Sequence, residues 1–415
     1  MTNLLLVDDD QVLLRTLLRF LTKNNPSWRI RSCDDPLHAL KLLEDCSFDA
    51  IISDLEMPLV FGDEVLARCS RISSTTIRIL MSANREYGLI LRNGGLAHEY
   101  LEKPFNLNEL EEAIRRSFAI REELHKLQLK RFSGDLNRAI EIPRLYSRIR
   151  YLVASPPELR RELTKCIQAQ PDIDQFVYKN AKQLLRIPNV EARSTEQLLG
   201  FLGEAPIKAL VLIGEIKREI VKDAECQHAA DEIVEHAIDT ARTSYALAQA
   251  LGQTRILQQT AISGSLLHNI GSLLMLALLG PKYHRSYKRA SEIGNNHLRL
   301  ERVKFGISHD VFGAYLLSLW QFPSVFLETS LYYLRPWERI SCSDSVVDIV
   351  ALANAYLRVS QNPAYLLFFR QVLQHLSQNQ SPDQLRSLLA QLDCTTLEQL
   401  DDSFLATTRS RDYRS

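Results

Sequence analysis

The sequence predicts an α/β domain built on a parallel sheet over roughly the first 120 residues, followed by an all-helical remainder. Three observations carry this. Up to residue 105, short apolar runs that end in polar residues alternate with longer amphipathic stretches, the pattern of a parallel sheet with crossover helices. From Leu107 the spacing changes, and apolar residues recur at intervals of three, four or six. Beyond about residue 140 few runs alternate with period two.

The strand candidates come first. Leu4-Leu5-Leu6-Val7 is followed by Asp8 and Asp9, and Ala50-Ile51-Ile52-Ser53 by Asp54. Ile77-Arg78-Ile79-Leu80-Met81 ends in Ser82, and Glu99-Tyr100-Leu101-Glu102 runs into Lys103-Pro104. In open parallel sheets the carboxyl ends of the strands face one crevice. Four strands therefore bring three carboxylates, a hydroxyl and an ammonium to one place. Clustered carboxylates repel one another and call for a hard cation with oxygen ligands, and Mg²⁺ fits. Asp54 is the candidate nucleophile, because a carboxylate can take a phosphoryl group covalently. Ser82 can donate to a phosphoryl oxygen and Lys103 can neutralise another.

On Val7-Asp8-Asp9, Ser53-Asp54-Leu55-Glu56-Met57-Pro58, Ser82-Ala83 and Lys103-Pro104-Phe105, the first 120 or so residues resemble the receiver domain of two-component response regulators. The resemblance implies a flavodoxin-like, doubly wound, five-stranded parallel sheet. It implies Asp54 as phosphoacceptor, with Mg²⁺ held by Asp8, Asp9, Asp54 and the Glu56 backbone carbonyl. It further implies a cis Lys103-Pro104 bond, and it places Tyr100 where the family keeps a rotating switch aromatic.

Composition narrows the function. Fifty Lys plus Arg balance fifty Asp plus Glu, so the basic footprint of a nucleic-acid-binding chain is missing and no nucleic-acid partner is expected. Seven cysteines without CxxC spacing read as small apolar residues of a reducing compartment. The N-terminus runs straight into a strand, so no secretory signal is expected. The most apolar stretch, Leu266 to Leu279, is interrupted by His268 and Asn269 and reads as a buried core helix, not a membrane span. The expectation is a cytoplasmic protein with no membrane partner.

Leu107, Leu110, Ile114, Phe118, Leu124 and Leu127 define an amphipathic helix that continues into a connector over 107–140, interrupted by Gly134 and Pro143. It packs on its own chain or, as the alternative, forms a short dimeric coiled coil, which would make a homodimer. Further helices are expected over 159–169, 176–185 after a turn at Pro171, 209–221, 233–251, 257–279, 311–320 and 346–359. These make an all-α domain over 141–360, followed by a helical extension and frayed tail over 361–415.

Three histidines sit at suggestive places: His236 in Glu235-His236-Ala237-Ile238-Asp239, His268 before Asn269, and His309 before Asp310. A metal phosphohydrolase of the HD type would carry His, His-Asp and His there, and the Asp would bridge two cations. Asn269 offers only a neutral carbonyl. Tyr332-Tyr333 stands where a His pair would be wanted, and Asn354 where a late Asp would serve. With Phe176 to Leu185, Thr195 to Gly203, Ile207 to Leu212, Ser265 to Gly271, Phe305 to Gly313 and Trp320-Gln321-Phe322-Pro323, residues 145–340 resemble the HDOD family, the non-catalytic relatives of HD and HD-GYP phosphohydrolases. Asn269 with Ser272, in place of an Asp and a Lys, argues further against catalysis. No metal is expected at this vestigial site of His236, His268, Asn269 and His309, whose histidines read as buried core residues. Gly271, Gly306 and Gly313 are expected to permit close helix contacts or caps. Phe201, Trp320, Tyr332, Tyr333 and Trp337 are core or interface aromatics.

In the tail, Ser381-Pro382-Asp383 is a helix start and Thr395 to Glu398 has capping-box spacing. Leu373, Leu376, Leu385, Leu388, Leu389 and Leu392 make an apolar face that covers the helical domain or meets a partner. The expected whole is a non-enzymatic response regulator. A sensor histidine kinase or phosphotransfer protein would phosphorylate Asp54, and the helical domain would act by binding a protein partner, with a link to cyclic di-GMP signalling through its HD-GYP likeness. The alternatives are a residual metal-dependent phosphodiesterase and a scaffold that only takes phosphate from a shared kinase.

Overall fold

The structure is a computed structural model, and it describes residues 2–73, 76–83, 96–126, 143–149, 156–185, 194–220, 224–293, 297–320, 322–339 and 345–392. The connector beyond Lys126, the Thr395 to Glu398 capping box and the polar tail from Thr407 lie outside these residues. The chain divides into two compact units. One holds Met1–Gln128 with Ser147–Val153 and Tyr315–Leu327; the other holds Leu129–Tyr146, Ala154–Ala314 and Glu328–Ser415.

In the first unit, β1 (Thr2–Val7), β2 (Trp28–Cys33), β3 (Ala50–Asp54), β4 (Ile77–Ser82) and β5 (Glu99–Glu102) form one sheet in the order β2-β1-β3-β4-β5. Every pairing is parallel. Strand side chains alternate between faces, and both faces are covered. Leu5, Val7, Ile51 and Leu80 pack toward α2 (Pro36–Asp45) and α3 (Gly62–Ile72). Leu4, Leu6, Ile52, Ile79 and Met81 pack toward α1 (Gln11–Asn24) and α4 (Leu107–Lys126). This two-sided burial is why β1 and β3 read as continuous apolar runs. Local signals start the helices: Asp10 caps α1 by accepting from the Val12 and Leu13 amides, and Asp35 caps α2 with Pro36 at its first position. Leu110 and Ile114 of α4 are buried against the sheet, with Leu107 and Phe118 packed beside them.

The second unit is helical throughout its described residues. Its elements are α5 (Arg144–Ile149), α6 (Pro156–Gln168), α7 (Pro171–Leu185), α8 (Thr195–Leu202), α9 (Glu204–Ile220), α10 (Ala224–Ala250), α11 (Arg255–Leu267), α12 (Ile270–Leu279), α13 (Pro281–Ile293) and α14 (His297–Phe305). Then follow α15 (His309–Leu319), α16 (Ser324–Tyr332), α17 (Ser345–Gln361), α18 (Leu366–Asn379) and α19 (Pro382–Leu389). (By compact-unit assignment, α5 and α15–α16 are each divided between the two units.) Two expectations need correction. Pro171 is the first residue of a helix and not a turn, since a proline there loses no needed hydrogen bond and Asp172 and Asp174 favour the helix start. The stretch 257–279 is two helices, broken at His268-Asn269, where Asn269 leaves helical geometry at φ −107° and ψ 18°. Helices α13, α14 and α16 were not anticipated from the sequence; α13 and α14 are polar enough (mean hydropathy negative) to hide their apolar stripe.

Arg255–Leu279 is long and apolar enough to cross a membrane by composition, but 83% of its most apolar window is buried in the fold. Gly271 and Gly313 allow α12 and α15 to touch: a Cβ at 271 would lie 1.8 Å from the His309 carbonyl oxygen. Gly306 ends α14 at φ +85°, a left-handed conformation. Of the leucines in the tail, 373, 376, 385, 388 and 392 are buried, so that face covers the helical core. Trp320, Tyr332 and Tyr333 are buried as well, whereas Phe201 and Trp337 are exposed.

Candidate functional sites

The register of the sheet ends β1, β3, β4 and β5 side by side, so the residues that follow them share one edge. Asp8, Asp9 and Asp54 present carboxylate oxygens that all lie within 4.8 Å of one another. Asp8 and Asp54 are buried and Asp9 is exposed. The Lys103 ammonium reaches in from the end of β5, 2.6 Å from Asp54 Oδ1 and 2.7 Å from Asp8 Oδ2. It is positioned from the backbone: the Lys103 amide donates to the Ser82 carbonyl at 2.9 Å, and the Lys103-Pro104 peptide is cis.

The electrostatics follow from this crowding. Burial raises the Asp54 carboxyl above its ordinary range, and the charges of Asp8 and Asp9 push the same way against the Lys103 bond. Burial alone would lower Lys103; its bonds to Asp54 and Asp8 outweigh it and raise the ammonium. Three carboxylates against one lysine leave an excess of negative charge and free carboxylate lone pairs. That donor set suits a hard divalent cation such as Mg²⁺. Ser82 is buried at the end of β4, and Tyr100 is half-buried with its hydroxyl 3.1 Å from the Ser82 carbonyl. The Glu56 side chain is exposed two residues beyond Asp54.

The second unit gathers its three histidines around a different centre. His309 Nδ1 meets Glu301 Oε2 at 2.7 Å, so that nitrogen carries the proton. Its Nε2 meets the Tyr333 hydroxyl at 2.7 Å. His236 Nε2 lies 2.9 Å from Asn354 Oδ1, and Arg358 Nε donates to the same oxygen at 2.9 Å. A guanidinium can only donate, so the atom it meets is the amide oxygen, and His236 Nε2 must also be a donor. His268 Nδ1 donates to the Ser265 carbonyl, and its Nε2 is buried with no partner. Rings connect the group: His236 and His268 lie 5.7 Å apart and His268 and Tyr333 4.6 Å.

These residues do not fit a metal. Tyr333 occupies Nε2 of His309, the Nε2 of His236 is committed as a donor, and Asn269 accepts from Ser272 at 2.5 Å as a neutral amide. Burial, followed by the nearby charge of Arg358, lowers His236 to about 4. Burial and the neighbouring His236 lower His268 well below its ordinary value. Both imidazoles are held neutral beside a buried guanidinium, so a permanent cation already stands among them.

Two domain families match this chain. The response regulator receiver domain matches residues 4–115, and the HDOD domain matches residues 140–336. The chain joins a receiver domain to an HDOD domain. Response regulator ArlR of Staphylococcus haemolyticus is 35% identical over 115 residues, which cover 28% of this chain and 52% of that protein. Transcriptional regulatory protein TcrA of Mycobacterium tuberculosis is 33% identical over 113 residues, covering 26% of this chain and 42% of that one. Among solved structures, response regulator TrrA of Thermotoga maritima, in complex with Mg²⁺-BeF, is 30% identical and covers 28% of this chain and 97% of its own, with a TM-score of 0.26. The chain spans about half the length of the first curated relatives it matches.

The receiver thus brings Asp8, Asp9, Asp54 and Lys103 together at one sheet edge, with Ser82 and Tyr100 beside them. In the HDOD domain His236, His268 and His309 are brought together, joined by Tyr333 and Asn354. Sequence reasoning missed Glu301, which orients His309, and Arg358, which fills the centre. A signal for Arg358 existed: it stands four residues after Asn354 and so on the same helix face. Nothing in the sequence ties Glu301 to His309 across the turn that separates α14 from α15.

Proposed function

We propose that Asp54 accepts a phosphoryl group from a sensor histidine kinase or phosphotransfer protein, and that the HDOD domain passes this on by binding a protein partner. One observation carries the reading: Lys103 bridges Asp54 and Asp8 inside a cluster of three carboxylates. Asp8, Asp9, Asp54 and the Glu56 carbonyl would hold Mg²⁺, which when bound supplies charge neutralisation for the transferring group. The Asp54 oxygen attacks phosphorus, forming an O–P bond as the donor's N–P bond breaks. Lys103 then exchanges a carboxylate partner for a phosphoryl oxygen, and Ser82 donates to another. Pulling Ser82 toward the phosphoryl group would disturb the bond from Tyr100 and alter the surface around Tyr100 and α4.

Domain boundaries of 1–120, 107–140, 141–360 and 361–415 accompany this reading. The HDOD domain would be non-catalytic, because Tyr333 occupies Nε2 of His309, Nε2 of His236 is turned to Asn354 as a donor, and the central cation is a guanidinium. The protein would work in the cytoplasm, with no nucleic-acid or membrane partner, and dimerisation is one form its output can take. The test is labelling from acetyl phosphate, with and without Mg²⁺, in wild type and Asp54→Asn. Mg²⁺-dependent labelling confined to wild type is expected; equal labelling of both proteins would remove Asp54 from its role.

A further inference from the structure

We propose that a cavity in the HDOD domain, separate from the histidine cluster, binds a small amphipathic organic anion: an apolar body carrying one carboxylate. The cavity of about 540 Å³ lies between α7, α8, α10 and α11, a volume in the range of ligand sites. Its floor is apolar, formed by Leu184, Leu202, Ala241 and Ile262, all buried. At the mouth stands Phe201, a large aromatic left 49% exposed. An exposed phenylalanine against an apolar hollow offers a face for a ligand to cover.

The charge at the rim selects the ligand. Arg242 and Arg255 both line the cavity. Arg242 is matched by Asp239 at 2.9 Å. Arg255 is held differently: one end of its guanidinium donates to the Gly200 and Phe201 carbonyls at 2.9 and 3.3 Å. Those carbonyls fix the fork at the end of α8 without cancelling its charge, and among the described residues no carboxylate pairs with it. The other N–H groups of that fork remain free to meet an anion. Tyr245 adds a hydroxyl that accepts from Gln249 at 3.0 Å and keeps its own proton to donate. One unmatched positive charge over an apolar floor favours a monoanion with an apolar body over a neutral or multiply charged ligand.

The experiment uses the full chain and the fluorescent probe 1-anilinonaphthalene-8-sulfonate, an apolar body with one negative charge. Saturable binding at one site per chain is expected. Octanoate should displace the probe about tenfold better than octanol, the factor of one charge-assisted contact. Arg255→Gln, at an exposed position, should erase that preference, and Ala246→Trp should fill the hollow and abolish binding of both. Octanol competing as well as octanoate, or a folded Ala246→Trp that binds the probe like wild type, would overturn the proposal. If Ala246→Trp fails to fold, Arg255→Gln decides alone, and an unchanged octanoate preference in that variant would overturn it.

Discussion

Tyr100 donates its hydroxyl to the backbone carbonyl of Ser82 at 3.1 Å. The ring is half-buried against the core that contains Leu5, Val7 and Leu80, so one aromatic links the phosphoryl-facing edge of β4 with the sheet's interior. Tyr100→Phe keeps the ring and removes this link. Labelling of Asp54 should survive, while the change in hydrogen exchange over residues 100–126 on adding beryllofluoride and Mg²⁺ should shrink. An unchanged exchange response in the variant would separate Tyr100 from the readout.

Lys103 holds the same oxygens a cation would use. Lys103→Met should cut phosphoryl transfer to Asp54 by at least about tenfold, as expected for loss of a charged contact to a phosphoryl oxygen. Mg²⁺ binding should not weaken, since the competing ammonium is gone. Parallel measurement of labelling rate and Mg²⁺ affinity checks this, and a loss of both in equal measure would mean that Lys103 only supports the fold.

In the HDOD domain the substitution Asn269→Asp restores the carboxylate of a metal-binding relative. It should nevertheless leave the purified protein without stoichiometric transition metal, because Tyr333 still caps His309 and Arg358 still carries the local charge. Elemental analysis of the variant after expression in metal-supplemented medium is the measurement. One equivalent or more of Fe, Mn or Zn, with hydrolysis of cyclic di-GMP, would show that a single residue had separated this domain from catalysis.

Gly271 has no room for a methyl group, since a Cβ would meet the His309 carbonyl at 1.8 Å. Gly271→Ala should destabilise the helical unit by roughly 3 kcal/mol, the upper end for overpacking a tight contact. Asp54 labelling should persist at urea concentrations where this unit has begun to unfold. Urea melts followed by circular dichroism, with acetyl phosphate labelling alongside, test both statements.

Acid should weaken the same unit. His236 has an ordinary value of 6.5 and a folded value of about 4, so the unfolded chain binds a proton in that window and the folded chain does not. Stability is therefore intact above about pH 6.5 and falls as pH drops toward 4, by up to roughly 3 kcal/mol for this one group. A melt series over pH 4 to 7 should show the slope, and His236→Gln should flatten it. A stability that rises on acidification through this range would contradict the assignment.

How legible the chain was depends on what each site is made of. The receiver's residues stand at strand ends, where an apolar run gives both the strand and the polar residue after it, so the sequence alone places Asp8, Asp54 and Ser82. Lys103 and Tyr100 follow from the same logic on β5. The HDOD centre is assembled across α10, α14, α15 and α17, and the partners of its histidines are separated by up to 118 positions, as with His236 and Asn354. Periodicity shows that such residues face a core; it does not show which of them meet. The break at His268-Asn269 was hidden for the same reason, because apolar residues continue on both sides of it.

The shared oxygen of Asn354 has a consequence for how this protein is made. Because it accepts from both His236 and Arg358, the centre of the helical domain is completed from the chain's own side chains as soon as α10 and α17 come together. Where a fold is built around bound metal ions, metal supply feeds into folding itself. On the proposed metal-free reading, cells starved of transition metals should accumulate this protein at the same level as cells that are replete.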